Sequence, residues 1–276
     1  MNEIRQLAAA ITEKYGVVKR ARGCFLYTAK GVRLTDLYQE SGRAILGWGS
    51  SSGTSAFTVL KNVLSRGATG SFDTDYTPRA DGSAASQLSR AVSALLADSR
   101  TVWLFASRSE ALSCALQLAP EHTACYKPWA EHACWSEESA VVIEPPLPLA
   151  LSLSVLALKP ELSSASAAQA LLADKSVRVA SPLVAAATRS LYDLKKALQE
   201  REEKHFFLYD TVVTKYWTRK GPYLYPKIPE ERYADFVLHC LSQALVVSPL
   251  YNQPSIVPFG ADRGVFRALE KNPFIV

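Results

Sequence analysis

The sequence predicts an α/β fold with a mainly parallel sheet, joined to a smaller α+β region. Between residues 85 and 160, the apolar strand-like runs 102–105 and 140–144 alternate with helical patterns. Strands that alternate with helices are typical of parallel sheets covered by helices on both faces. The chain has 276 residues, 48% of them hydrophobic, so it can bury a substantial core.

Before residue 100, the elements are predicted from apolar spacing and from turn residues. Two β-rich runs separated by Lys30-Gly31 indicate a hairpin, and Thr54 or Ser55 can cap the helix that follows a Gly- and Ser-rich loop. In chain order, we predict a helix over 3–15, strands over 23–27 and 33–38, a loop over 47–53 and a helix over 84–96.

The last third predicts the α+β region. A long helix over 182–205 has a charged second half, 193–204, whose i,i+4 pairs indicate a solvated surface. A helix over 230–244 and a strand over 245–247 follow. We therefore expect an N-terminal helix and hairpin (1–50) that pack with the small domain, a large α/β domain (51–185) and the small domain itself (186–276).

Composition limits the partners and the location. The 31 basic and 26 acidic residues are spread along the chain without a block of one sign, so no nucleic-acid partner is predicted. The first residues lack the pattern of a signal peptide, and Glu144 and three prolines interrupt the apolar run 141–158. We expect a cytoplasmic protein that does not span a membrane.

No metal site is predicted. The five cysteines are irregularly spaced, as is typical of reduced thiols. His122, Cys125, His132 and Cys134 lie close together, but their spacing matches no usual structural-zinc pattern.

The strongest functional signal is Ser107, which follows the strand 102–105 and precedes Glu110 by three residues. This is a capping box, and the helix that it opens directs backbone N–H groups and the positive end of its dipole outward. Such a helix end suits a phosphate. The alternative is that Ser107 only caps the helix.

Four runs in order resemble the class III aminotransferases, which are fold-type-I pyridoxal-phosphate (PLP) enzymes. GVRLTDL at 31–37 resembles the family's hairpin, and FASRSEA at 105–111 resembles its phosphate loop. VIEP at 142–145 is similar to the end of a family strand, and SPLVAAA at 181–187 is similar to the start of a family helix. The resemblance is patchy but spans most of the chain.

The resemblance implies a shortened fold-type-I domain, a homodimer and PLP as cofactor. Ser107 and Ser109 would hold the phosphate, and Tyr126 or Trp129 would stack on the pyridine ring. Arg108 replaces a loop glycine and can add positive charge. The implied cofactor-binding residues are Ser107, Arg108, Ser109, Tyr126, Trp129 and Ser176.

The same resemblance leaves catalysis open. The family's D-E-V segment is missing, and the interval between Pro145 and Pro182 is short. Lys159 is the candidate for the Schiff base, ahead of Lys175, and Glu144 is the only carboxylate nearby. The alternative for each lysine is an ordinary surface position.

Three functions therefore stay open. The chain can be an aminotransferase-like enzyme that acts through Lys159 and Glu144, a non-catalytic homodimeric scaffold, or a protein that binds a phosphorylated metabolite. Arg263 and Arg267 are candidates for binding the carboxylate of an amino-acid ligand, although a surface role suits both.

Overall fold

The computed structural model describes residues 2–49, 54–67, 72–130, 134–149 and 153–275. Part of the predicted loop 47–53 and His132 of the candidate zinc cluster lie outside these ranges. The helices are α1 Asn2–Tyr15, α2 Ala56–Ser65, α3 Ser86–Leu96, α4 Arg108–Leu118, α5 Pro160–Ser164, α6 Ser166–Lys175, α7 Ser181–Glu200, α8 Glu203–Phe206, α9 Asp210–Tyr216, α10 Glu230–Ser242 and α11 Arg267–Lys271.

The strands form three sheets. The strands are β1 Val18–Arg22, β2 Phe25–Thr28, β3 Arg33–Asp36, β4 Thr101–Phe105, β5 Thr123–Cys125, β6 Ala140–Ile143, β7 Ser154–Leu158, β8 Trp217–Lys220, β9 Tyr223–Pro226, β10 Leu245–Val246 and β11 Ser255–Ile256.

The chain divides into two compact units. Unit 1 contains residues 1–53 and 200–276, and unit 2 contains residues 54–199. The boundaries predicted from the sequence lie after residues 50 and 185. Residue 185 lies inside α7, which continues without a break to Glu200.

Unit 2 contains a four-stranded sheet in the order β4-β7-β6-β5. β7 runs antiparallel to both of its neighbours, and β5 is parallel to β6. β4, β5 and β6 therefore point the same way, as expected for a mainly parallel sheet, while β7 points the opposite way.

Side chains alternate between the two faces of this sheet, and each face has its own apolar core. One face carries Val102 and Leu104 of β4 and packs against residues of α3 and α7. The other carries Trp103 and Phe105 and packs against residues of α4 and α6. Every residue of β6 and β7 is buried, which explains why these strands, apart from Ser154, are apolar without alternation.

Unit 1 contains two sheets, in the orders β1-β2-β3-β10 and β11-β9-β8. β2 is antiparallel to β1 and β3, which confirms the predicted hairpin, and β10 joins β3 in parallel. Predicted helices 3–15 and 230–244 correspond to α1 and α10.

Asp36, at the end of β3, is a buried carboxyl group that holds a turn. Its Oδ1 accepts the backbone N–H groups of Tyr38 (3.0 Å) and Gln39 (2.8 Å), and its Oδ2 accepts Nε1–H of Trp48 (2.7 Å). Gln39 opens the short 3-10 turn Gln39–Gly42 in a left-handed conformation, with φ of 47°. Burial outweighs these hydrogen bonds and raises the pKa of Asp36 to about 6.

The long helix departs from its prediction in two ways. It ends at Glu200, not at His205, and Arg201 is buried beyond it, with Nη1 donating to the Ile45 carbonyl at 2.7 Å. Asp193 was predicted on a solvated surface but is buried. Its carboxylate accepts the Ser55 N–H at 2.7 Å and the Arg189 Nε–H at 2.9 Å. The predicted surface was wrong at this position because Asp193 pairs with the start of α2, a contact that local charge spacing cannot reveal.

Candidate functional site

The candidate site lies at one edge of the unit 2 sheet. Because β4, β5 and β6 point the same way, their carboxyl ends meet at this edge, which we call the carboxyl edge. Ser107 follows β4, Tyr126 follows β5 and Glu144 follows β6. In α/β sheets, ligands bind in the crevice outside the carboxyl ends of the strands.

Ser107 caps α4 as predicted. Its backbone is extended, with φ −147° and ψ 157°, and its Oγ accepts the Glu110 N–H at 3.2 Å. The Ser109 hydroxyl lies 3.1 Å from the same Oγ. Two hydroxyl groups and the N-terminus of an eleven-residue helix are therefore close together at the carboxyl edge. This arrangement offers several donors to an anion.

Arg108 links the serine loop to β6. Its Nη1 lies 3.3 Å from Oε2 of Glu144, and the two side chains are 53% and 32% exposed. Partial burial lowers the pKa of the Arg108 guanidinium, but the Cys125 thiol and the Glu144 carboxylate outweigh this effect and raise it. The carboxyl edge thus holds a permanent cation, with a carboxylate already beside it.

The two aromatic residues that the resemblance suggests for stacking, Tyr126 and Trp129, lie in different surroundings. The Tyr126 ring lies 4.9 Å from the Trp135 ring and packs against the core beneath α3 and α7, whereas α4 covers the other face of the sheet. Burial raises the pKa of Tyr126 to about 12. Trp129 is partly buried and has a left-handed backbone with φ 55°. The stacking of either ring on a ligand stays a prediction.

Lys159 lies at the opposite edge of the sheet. Phe105 pairs with Ser154 and Thr101 pairs with Leu158, so Lys159 follows β7 where β4 begins. Four residues of strand, about 13 Å, separate the two edges. Lys159 precedes α5, and its N–H donates to the Ser139 carbonyl at 3.0 Å. Pairing Lys159 with the Ser107 loop in one catalytic site was wrong, because the direction of β7 places them at different edges.

α6 ends at Lys175, and Ser176 follows as its C-cap. Lys175 is exposed and pairs with Asp174 at 3.1 Å. The Ser176 N–H caps the helix by donating to Leu172, and the next residue, Val177, donates to the Leu104 carbonyl at 2.8 Å. Leu104 is near the carboxyl end of β4, so Ser176 lies beside the carboxyl edge.

Lys127 was missed by the sequence analysis. It follows Tyr126, whose N–H donates to the Val142 carbonyl at 2.8 Å, so the chain at Lys127 runs beside the end of β6. The family order would place the Schiff-base lysine between Pro145 and Pro182, an interval that does not contain position 127. Lys127 comes shortly after β5, and β5 points the same way as β6. This position after a strand is the signal that could have identified it.

The candidate zinc residues have other contacts. The His122 carbonyl accepts the N–H groups of Ser139 and Ala140, and Cys134 Sγ lies 2.7 Å from the Ser136 hydroxyl. That hydroxyl lowers the pKa of Cys134. Within the described ranges, no group of three or more His, Cys, Asp or Glu side chains is placed to hold a metal ion.

Arg263 and Arg267 lie in unit 1, where both side chains are exposed. They line a cavity of about 250 Å³ together with Tyr209, Thr211 and Glu270. In the part of the chain that the structure covers, no helix is long and apolar enough to cross a membrane.

Comparisons with known proteins identify the fold. It is the PLP-transferase-like (fold type I) α/β fold with a small α+β domain. Ornithine aminotransferase from Toxoplasma gondii superposes with a TM-score of 0.66 and 10% identity over 92% of this chain and 89% of that chain. An omega-transaminase from Sphaerobacter thermophilus gives 0.63 and 9% over 92% and 90%. Acetylornithine aminotransferase from Elizabethkingia anophelis gives 0.62 and 11% over 95% and 96%.

Sequence comparison adds one relative. A protein of Treponema pallidum (strain Nichols), described as uncharacterized, is 29% identical over 293 aligned positions that cover 91% of each chain. No protein-family model matches the chain. In fold, the chain is thus similar to aminotransferases. In sequence, it is similar to a protein described as uncharacterized.

Proposed function

We propose that this aminotransferase-fold protein binds a phosphate ester at the carboxyl edge of unit 2, without forming a Schiff base at Lys159. The observation that carries the proposal is the cap of α4, where Ser107 and Ser109 stand beside Arg108. Hydroxyl groups, a helix N-terminus and a guanidinium are the donors that phosphate prefers.

PLP is the first ligand to test. The Toxoplasma gondii structure is described as showing partial occupancy of PLP at the protein active site. The residues of this chain fit the phosphate of that cofactor. Lys159 does not fit its aldehyde, because Lys159 lies at the opposite edge, and the carboxylate that could face its pyridine nitrogen, that of Glu144, is paired with Arg108. We therefore derive no transamination step.

Each group at the edge has a distinct role in binding. The Ser107 Oγ already accepts the Glu110 N–H, so its own proton is left to donate. The Ser107 and Ser109 hydroxyl groups are within hydrogen-bond distance of each other and either can be the donor, so both protons are able to turn toward a phosphate oxygen. The Arg108 guanidinium supplies positive charge, which the ion pair with Glu144 partly neutralises. Glu144 therefore competes with the phosphate for Arg108, and this proposal gives it no catalytic role.

A second candidate function is a non-catalytic homodimeric scaffold. The position of Lys159 favours it, because the fold is kept while the predicted lysine is away from the serine loop. A homodimer is proposed from the resemblance to the aminotransferases, and the expected cytoplasmic location stays a prediction. Sedimentation equilibrium tests the dimer, and a monomer at all concentrations would contradict it.

Ligand-linked thermal stabilisation tests phosphate binding. We expect PLP and inorganic phosphate to raise the melting temperature, and pyridoxal without a phosphate to leave it unchanged. The double variant Ser107→Ala, Ser109→Ala should lose the shift. Ser113→Ala is the matched control, because Ser113 is an exposed serine of the same helix.

Borohydride reduction followed by peptide mass analysis tests the absence of an imine. The proposal expects PLP to bind without covalent attachment to Lys159. A reduced adduct on Lys159 that disappears with the Ser107 and Ser109 substitutions would overturn it. Equal stabilisation of the parent protein and the double serine variant would also contradict it.

A further inference from the structure

The hairpin of unit 1 carries an exposed cluster of arginine and aromatic side chains. Residues paired across neighbouring strands share one face of a sheet. Arg20 pairs with Tyr27, which pairs with Arg33, and Arg22 pairs with Phe25 in the next row on that face. We call these five residues the arginine face: Arg20, Arg22, Phe25, Tyr27 and Arg33.

Two of the guanidinium groups are stacked on aromatic rings. The Arg20 guanidinium carbon lies 4.2 Å from the Tyr27 ring centroid, and that of Arg33 lies 4.4 Å from the Phe25 ring centroid. The arginines are exposed, whereas the rings are half-buried. The rings therefore hold the guanidinium groups in place on one side and leave the other side open to solvent.

The charge of this face is not balanced by acids of its own three strands. Among β1, β2 and β3 the one carboxyl group is that of Asp36, which is buried and bonded to Trp48. Within the described residues, no ion pair involves Arg20, Arg22 or Arg33. Three cations on adjacent strands repel one another, and an anionic partner would relieve that repulsion.

We propose that the arginine face binds single-stranded nucleic acid. The guanidinium edges would contact phosphates, and bases would stack on the open planes of Arg20 and Arg33. An acidic peptide would need the charges but not the planes, so the stacked arrangement favours a base. Composition predicted no nucleic-acid partner because the charges are spread along the chain, but pairing of the strands collects these three on one face.

Fluorescence anisotropy with labelled oligouridine and oligothymidine tests the proposal in the full chain. Three phosphate contacts on a single strand predict a slope of about −2 for the logarithm of the binding constant against the logarithm of salt concentration. Arg20→Gln, Arg22→Gln, Arg33→Gln should abolish binding. The control Arg66→Gln, Arg90→Gln, Arg178→Gln removes three exposed arginines of unit 2 and should keep it.

A conservative variant separates stacking from charge. Arg20→Lys, Arg33→Lys keeps both charges but removes the planes, so affinity should fall about fivefold or more while the salt slope stays the same. Undiminished oligonucleotide binding by the glutamine triple variant would overturn the proposal. Oligonucleotide binding by the lysine variant equal to that of the parent protein would also overturn it, because charge alone would then account for binding. Tighter binding of polyglutamate than of either oligonucleotide would overturn it too, because it would indicate an acidic protein partner.

Discussion

Nη1 of Arg108 lies 3.3 Å from Oε2 of Glu144, so the residue that opens α4 is paired with the residue that follows β6. The pair connects two of the strand ends that form the carboxyl edge. Its cation is in the place where a phosphate would need it, and its anion opposes the same phosphate. The affinity of the carboxyl edge for anions therefore depends on how strongly the Glu144 carboxylate competes with an anion for the Arg108 guanidinium.

We expect substitutions in this pair to act in opposite directions. Glu144→Gln should tighten binding of inorganic phosphate and PLP about twofold to fivefold, because an exposed ion pair of this kind contributes about 0.2–1 kcal/mol. Arg108→Gln should weaken binding. Isothermal titration calorimetry measures both, with Glu161→Gln as the control, because Glu161 is an exposed carboxylate near Lys159. Weaker binding in both Glu144→Gln and Arg108→Gln would contradict a competing carboxylate.

Lys159→Ala should leave PLP affinity and borohydride labelling unchanged, because Lys159 lies about 13 Å along the sheet from the serine loop. Lys127→Ala is the comparison variant, because Lys127 lies near the end of β6 at the carboxyl edge. It tests whether a lysine at that edge affects PLP affinity or labelling. Mass analysis of reduced, digested protein measures the labelling. Loss of a label in Lys159→Ala alone would show that the lysine reaches the ligand and that the assigned binding edge is wrong.

Asp36 should make stability depend on pH. Its pKa is raised to about 6 in the folded chain, mainly by burial, from an ordinary value of 3.8. Between these values the folded chain keeps a proton that the unfolded chain has released, so the free energy of unfolding falls as pH rises. The stabilising contribution is full below about pH 4 and lost above about pH 6, a change of about 3 kcal/mol.

Asp36→Asn should remove this component, because an amide does not titrate in this range. Urea unfolding between about pH 4 and pH 7 measures it as the difference in free energy between the parent protein and the variant. Asp235→Asn changes an exposed aspartate of α10 and serves as the control. Parallel pH profiles of the parent protein and Asp36→Asn would contradict the raised pKa.

Asp193→Ala should destabilise unit 2 by about 2–3 kcal/mol. The side chain is 6% exposed, and its carboxylate accepts hydrogen bonds from Ser55 at the start of α2 and from Arg189. Removing it leaves the N–H of Ser55, the residue that precedes α2, without this acceptor. Lys195→Ala, at an exposed position of the same helix, should change the free energy of unfolding by less than about 0.5 kcal/mol. Equal losses in the two variants would show that the buried carboxylate is not a helix cap.

Local features of the fold were predictable from the sequence. The hairpin, the cap at Ser107 and the helices α1 and α10 depend on turn residues and on apolar spacing within a few positions. The position of β7 between β4 and β6 did not follow from such patterns, because a buried strand is apolar whichever way it points.

The same limit applies to the site. Ser107, Arg108 and Glu144 were named separately as candidate site residues, and the structure brings them together because each follows a strand that points to the carboxyl edge. Their roles stay predictions. Lys159 also follows a strand, but that strand runs the other way. Asp193 was assigned to solvent because its charge spacing matched a surface helix, and charge spacing does not reveal the tertiary contact with Ser55 that accompanies its burial.

The pairing of β3 with β10 has a consequence for synthesis. Thr35 pairs with Leu245, so the strand partner of β3 leaves the ribosome roughly 200 residues later. At about 5–20 residues per second, this delay is about 10–40 s. The segment 54–199 is continuous and can form its own sheet during that time. A nascent chain that stops before β10 would present one open side of β3, an unpaired edge that can capture a strand of another chain.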